Sequence, residues 1–184
     1  MVKLEFKIAI IGPENAGKSS LMNALFGRYI SLTSEIPGTT KNPIKKYWGK
    51  IKIGKSKKNP EFADIVFVDL GGLYTQKGGK VALTSSILEK SYKEIDNSNL
   101  IIHIVDGTVG LLRDFERLHH LLKFRYQKPI IVVINKCDLL NYEEIEKVKN
   151  YVEYRLKNTP ILVSAKTGEG LEILINNIYK YLKR

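Results

Sequence analysis

Eight residues constrain this chain more than any others: Gly12-Pro13-Glu14-Asn15-Ala16-Gly17-Lys18-Ser19. They fit the pattern G-x-x-x-x-G-K-[ST], in which a loop wraps phosphate oxygens in backbone N–H groups. The apolar run Phe6 to Ile11 before it reads as a buried strand, and Ser20 to Phe26 after it reads as the first turns of a helix. Glycine lets the backbone curl around an anion, and the new helix points its positive dipole end at the same charge. The spacing assigns Glu14, Asn15, Ala16, Gly17, Lys18, Ser19 and Ser20 to phosphate contacts. Lys18 is expected to reach the β- and γ-phosphates, and Ser19 to offer its hydroxyl to Mg²⁺. The bland alternative is a glycine-rich strand-to-helix turn.

A second motif speaks to the base. Asn135-Lys136-Cys137-Asp138 closes the run Pro129 to Ile134, whose β-branched residues suit a central parallel strand. Ionised Asp138 offers only acceptors. Guanine presents two donors on one edge, N1–H and the 2-amino group, whereas adenine would face the carboxylate acceptor to acceptor. Buried polar groups left unpaired can discriminate by about 10⁴-fold. Asn135 is expected to tie this loop to the phosphate loop, and the methylene stem of Lys136 to cover one face of the base. An ordinary strand-end turn rich in Asn and Asp is the alternative.

Two weaker pieces follow in matching order. Ile65 to Val68 is a short buried strand ending in Asp69-Leu70-Gly71-Gly72, a D-x-x-G. Asp69 would bind Mg²⁺ through water, and the Gly72 N–H would meet the γ-phosphate. Ile161 to Val163 ends in Ser164-Ala165-Lys166, where the Ala165 N–H suits guanine O6 and Lys166 suits a cap on the base.

These strings, with Pro37-Gly38-Thr39-Thr40-Lys41-Asn42, make the chain resemble a translation-factor-class small GTPase of the Era, EngA (Der) and MnmE (TrmE) branch, over essentially its whole length. The resemblance implies binding of GTP and GDP with Mg²⁺ and hydrolysis to GDP and phosphate. It implies that Thr40, rather than Thr39, coordinates Mg²⁺ and senses the γ-phosphate through its N–H. It also implies a potassium ion held by Asn15, with carbonyls around Ser34 to Gly38 completing the shell. A cation there would offset charge growing on the β–γ bridge. The residue after D-x-x-G is Leu73, not the water-orienting glutamine of Ras-like enzymes, and Gln76 lies three residues further on. Lys18, Thr40, Gly72 and Asn15 are therefore the expected catalytic set, without a general base. A GTP-gated scaffold with negligible turnover is the rival reading. A P-loop kinase would leave Asn135 to Asp138 unexplained.

At 184 residues the chain suits one domain over 1–184. Strand-like and helix-like runs alternate, as in an α/β P-loop G domain. A mostly parallel six-stranded sheet with one antiparallel edge strand and helices on both faces is expected. Pro43 to Ile53 and Phe62 to Val68 read as a hairpin pair. Helices are expected over Val81 to Ile95, Leu111 to Phe124, Tyr142 to Leu156 and Leu171 to Leu182. No apolar stretch approaches the roughly 18 residues of a membrane span. The N-terminus leads directly into the first strand, and a single cysteine, Cys137, suits a reducing cytoplasm. His103, His119 and His120 lack metal spacing and read as satisfied or surface residues.

The formal net charge is +11, and lysines crowd the Lys41 to Lys58 region with Tyr47 and Trp48 among them. Basic residues beside exposed aromatics can bind RNA by phosphate contact and base stacking. The expected partners are a guanine nucleotide, RNA or the ribosome through that region, and a protein effector. A monomer or a transient G-domain dimer is expected. The alternative is a solvated lysine face with Trp48 packed inward.

Overall fold

A computed structural model describes residues 4–27, 44–53, 61–70 and 85–182. Its six strands are β1 (Leu4–Ile11), β2 (Ile44–Ile53), β3 (Glu61–Asp69), β4 (Leu100–Asp106), β5 (Ile130–Asn135) and β6 (Ile161–Leu162). Five helices separate or follow them: α1 (Lys18–Phe26), α2 (Ser85–Asp96), α3 (Arg113–His120), α4 (Tyr142–Leu156) and α5 (Leu171–Leu182). The sheet order is β2-β3-β1-β4-β5-β6. Only β2 runs antiparallel, at the edge beside β3. The expected fold class is the one observed.

Strands β4 and β5 are buried along their whole length, which is why they read as unbroken apolar runs rather than alternating ones. Their side chains still alternate between two cores. Ile8, Ile10, Ile102, Ile104, Ile131 and Val133 pack with α1 and α5. Ala9, Ile11, Ile101, Val105, Val132 and Ile134 pack with α2, α3 and α4. Helices thus cover both faces.

Helix α4 has the bounds the periodicity predicts. Asn141 accepts from the Glu144 N–H at 3.0 Å while the Glu144 carboxylate accepts from the Asn141 N–H at 2.9 Å, a reciprocal cap. The stretch Leu111 to Phe124 differs from expectation. Its α-helix starts at Arg113 and stops at His120, then widens into a π-helical turn over Leu121–Arg125. That turn delivers the Lys123 ammonium to the Leu156 and Lys157 carbonyls at 3.2 and 2.8 Å, where it caps the end of α4. Phe115, Leu118 and Leu122 stay buried across the change. Residues 81–84 of the expected second helix lie outside the described residues.

Trp48 packs inward, so its expected place in a stacking surface is corrected. Its indole N–H donates to the Leu25 carbonyl at 3.1 Å, and its ring stacks on Tyr179 and meets Phe67 edge-on. A register shift between Tyr47 and Gly49 turns it toward the core while Tyr47 stays 48% exposed. Lys45, from the same strand, pairs with Glu94 of α2 at 2.9 Å.

The histidine expectation is corrected in part. His103 and His119 are fully buried, with their Nδ1 atoms 3.2 Å apart, and each Nε2 lies buried without a hydrogen-bond partner. No group of three or more metal-ligating side chains occurs among the described residues. No helix among them is long and apolar enough to cross a membrane.

Candidate nucleotide site

The parallel strands end together, and the loops that leave those ends form the site. The phosphate loop follows β1. In it Asn15 and Gly17 take left-handed backbone conformations, φ 64° and 87°. A Cβ on Gly17 would come within 2.3 Å of the Asn135 amide nitrogen, so close approach as well as φ demands glycine there. Lys18 folds back and donates to the Gly12 and Pro13 carbonyls at 2.9 and 2.8 Å. An ammonium has three donors, so a third remains to be shared with an anion. Burial pushes the Lys18 pKa down, opposed by the nearby charges of Asp69 and Glu14. An anionic ligand would add to that opposition.

At the end of β3, Asp69 is buried, and the Ser19 hydroxyl donates to its Oδ2 at 3.3 Å. A hydroxyl and a carboxylate this close, beside the lysine, form a hard-oxygen pair suited to Mg²⁺. Glu14, Asn15, Ser19 and Ser20 are exposed on the loop, and Ala16 is buried beneath it. Thr40, Gly72, Leu73 and the Ser34 to Gly38 stretch lie outside the described residues.

The Asn135 side chain joins three loops. Its amide donates to the Ala16 carbonyl at 2.9 Å, and its oxygen accepts from the Ala165 N–H at 3.0 Å. The Ala165 donor expected for guanine therefore points into the same cluster. Ser164, fully buried, donates through its hydroxyl to Asp138 Oδ1 at 2.7 Å and accepts from the Thr167 N–H. This holds the exposed Asp138 carboxylate in one orientation. Lys166 is exposed beside it.

One residue of this cluster went unread in the sequence. Asp106, at the end of β4, accepts from the Lys136 ammonium at 2.6 Å and from the Thr108 N–H and hydroxyl at 2.9 and 2.7 Å. Burial raises its pKa, but those hydrogen bonds outweigh burial and hold it below the usual carboxylate value. Lys136 itself sits at φ 69°. The available signal was position: Asp106-Gly107-Thr108 closes an apolar strand next to the one that ends in Asn135, and Asp106 pairs with Asn135 in register.

Residues 7–136, running from β1 through the phosphate loop to the first two residues of the base loop, match the family described as 50S ribosome-binding GTPase. The chain belongs to this GTPase family. An uncharacterised protein of Methanocaldococcus jannaschii is 69% identical over 181 residues, covering 98% of each chain. GTPase Era of Halothermothrix orenii is 33% identical over 176 residues, covering 95% of this chain and 55% of its own. A crystal structure of Era with MgGDPNP and nucleotides 1506–1542 of 16S ribosomal RNA superposes with a TM-score of 0.71 at 27% identity, covering 97% of this chain and 57% of that one. The chain thus spans about half the length of the Era proteins it matches, and nearly all of the Methanocaldococcus protein.

Proposed function

We propose that this chain binds GTP with Mg²⁺ and hydrolyses it with water to GDP and phosphate, acting as a nucleotide-dependent switch. The carrying observation is Asn135, whose one amide binds the phosphate loop at Ala16 and the base loop at Ala165. A ligand with phosphates at one end and a purine at the other fits a frame locked in that way. The GTPase family match supports the reading, as does the solved Era complex with MgGDPNP.

In this reading Glu14 to Ser20 enclose the phosphates and Lys18 carries positive charge to them. The carboxylate of Asp138 accepts from guanine N1–H and the 2-amino group. The Lys136 stem and Lys166 flank the base, and the Ala165 N–H shares itself between Asn135 and O6. Ser19, Asp69 and Thr40 would hold Mg²⁺, which when bound supplies charge beside the transferring phosphoryl group. Gly72 would contact the γ-phosphate, and Asn15 would hold potassium. Water attacks the γ-phosphorus as the bond to the β–γ bridging oxygen breaks, leaving GDP as leaving group and a proton released to solvent. Catalysis is electrostatic, with no covalent intermediate.

Residues 1–184 are read as one G domain working in the cytoplasm on RNA or ribosomes, with a protein effector and with itself as monomer or transient dimer. The family description and the 16S ribosomal RNA bound by Era support the RNA part. Within the Lys41 to Lys58 region, Lys46, Lys50 and exposed Tyr47 are the described groups that suit such contact.

Single-turnover GTP hydrolysis in KCl and NaCl at equal ionic strength tests the enzyme. Faster turnover in KCl supports hydrolysis with Asn15 in a cation site. Equal, negligible rates overturn the enzyme and favour the scaffold, which Leu73 after D-x-x-G also favours.

A further inference from the structure

Exposed aromatic rings cluster away from the nucleotide site. Phe124, Tyr151 and Tyr154 are 66%, 51% and 69% exposed. Phe124 lies on the π-helical turn after α3, and the two tyrosines lie on the second half of α4. The two segments are bonded together. Lys123 donates to the Leu156 and Lys157 carbonyls, and the Arg155 Nε–H donates to Glu116 at 2.8 Å. Helices that connect parallel strands run back against them, so the last turns of α3 and α4 sit at the end of the sheet opposite the phosphate loop.

The rings stand among cations. The Lys157 ammonium lies 4.3 Å from the Tyr154 ring centre, and that of Lys123 lies 5.9 Å from Phe124. His120 stacks on Phe124 at 5.8 Å and 14°. Residues 113–128 carry five Lys and Arg against two carboxylates, and residues 146–158 carry four against two, Glu146 being paired with Lys149 at 3.2 Å. Those carboxylates are engaged: Glu116 by Arg155, Asp114 by Arg117, and Glu153 by the Thr159 hydroxyl. The face is therefore positive around rings that remain more than half exposed.

An acidic peptide would match the charge but brings no flat rings to cover Phe124 and Tyr154. Duplex nucleic acid matches the charge but keeps its base faces stacked. A single strand brings both phosphates and free π-faces. We propose that this face binds single-stranded nucleic acid, with bases stacked on Phe124 and Tyr154 and phosphates on the surrounding Lys and Arg. RNA and DNA share this chemistry. The surface is separate from the β2–β3 edge and from the GTP site, so it does not depend on the GTP reading above.

The test is fluorescence anisotropy of the whole chain with labelled RNA and DNA single strands of about 12 nucleotides. A matched RNA duplex and an Asp/Glu-rich peptide are the comparisons, from about 50 to 200 mM salt. Each is measured with the protein alone, with GDP and with a non-hydrolysable GTP analogue. Single strands are expected to bind more tightly than duplex or peptide, and the tighter of RNA and DNA identifies the source. Phe124→Ala and Tyr154→Ala should each weaken binding about 5- to 150-fold with the salt slope unchanged. Phe124→Trp should retain binding, and Arg125→Gln with Lys157→Gln should flatten the salt slope. The nucleotide state should have no effect. Thermal melts and fluorescent-GDP binding of each variant check the fold and the other site separately. Single strands binding no better than the peptide, Ala variants that bind like the parent, or affinity that follows the bound nucleotide would overturn the proposal.

Discussion

Asn135 does two jobs with one amide, and its neighbour Gly17 exists in part to make room for it. Gly17→Ala should weaken fluorescent-GTP binding by more than about 100-fold, since the new methyl meets the Asn135 nitrogen and φ 87° is strained for alanine. Gly49→Ala, with nothing within 4 Å of the added methyl but φ 157° strained for alanine, should lower stability while leaving binding unchanged. Asp106 acts at one remove. Asp106→Asn removes the charge that grips Lys136 at 2.6 Å, so GTP affinity should fall about 5-fold, the equivalent of about 1 kcal/mol. Titrating Asp106→Asn, Lys136→Met and the double variant checks this. If the grip works through the lysine, the double variant loses no more than Lys136→Met alone. Most of the residues assigned to the ligand were legible as motifs, because local spacing alone fixes what a short loop can present. Asp106 was not, because its role comes from a strand neighbour distant in sequence.

Helix boundaries were legible where end signals agree with periodicity. Helix α4 begins after Asn141 and has Glu144 at the third helical position, so cap and apolar stripe predict one start. Asn141→Ala should cost about 1 kcal/mol, seen as a melting temperature lower by about 2–4 °C. The π-helical turn was not legible, because Phe115, Leu118 and Leu122 keep helical spacing through it. What selects it is the neighbour: widening the turn lets Lys123 reach two terminal carbonyls of α4. Lys123→Met should cost about 1 kcal/mol in urea unfolding, whereas Lys147→Met on the exposed face of α4 should change stability little.

For the molecule as a whole, the buried His103–His119 pair sets a dependence on acid. Burial first, and the charge of His119 second, push His103 from the ordinary histidine value of 6.5 to about 3. Burial, then Lys123 and His120, push His119 to about 4, against a raising contact from the Leu156 backbone. Phe115 of α3 packs against His103 and carries no charge to offset this. Both folded values lie below the unfolded one, so between pH 6.5 and 4 the unfolded chain binds more protons. The pair's contribution is complete above pH 6.5 and is lost as pH falls toward 4. From pH 7 to 5 the loss should be about 2 kcal/mol per histidine. Urea unfolding at the two pH values checks it, with the His103→Leu/His119→Leu variant expected to lose most of that slope. A slope unchanged in the variant would assign the acid sensitivity to carboxylates.

The sequence by itself determined the loops, the apolar runs and their alternation, and through them the α/β fold and the GTPase family. Those follow from short-range rules: a glycine pattern, a strand or helix period, a cap. Tertiary structure decided which distant groups meet. Asn135 bonds a residue 119 positions away, Trp48 turns from a surface lysine run into the α1–α5 core, and two histidines 16 positions apart face each other in the dark of the sheet. Strand order and helix docking set those meetings, and no local pattern along the chain encodes a distance between elements.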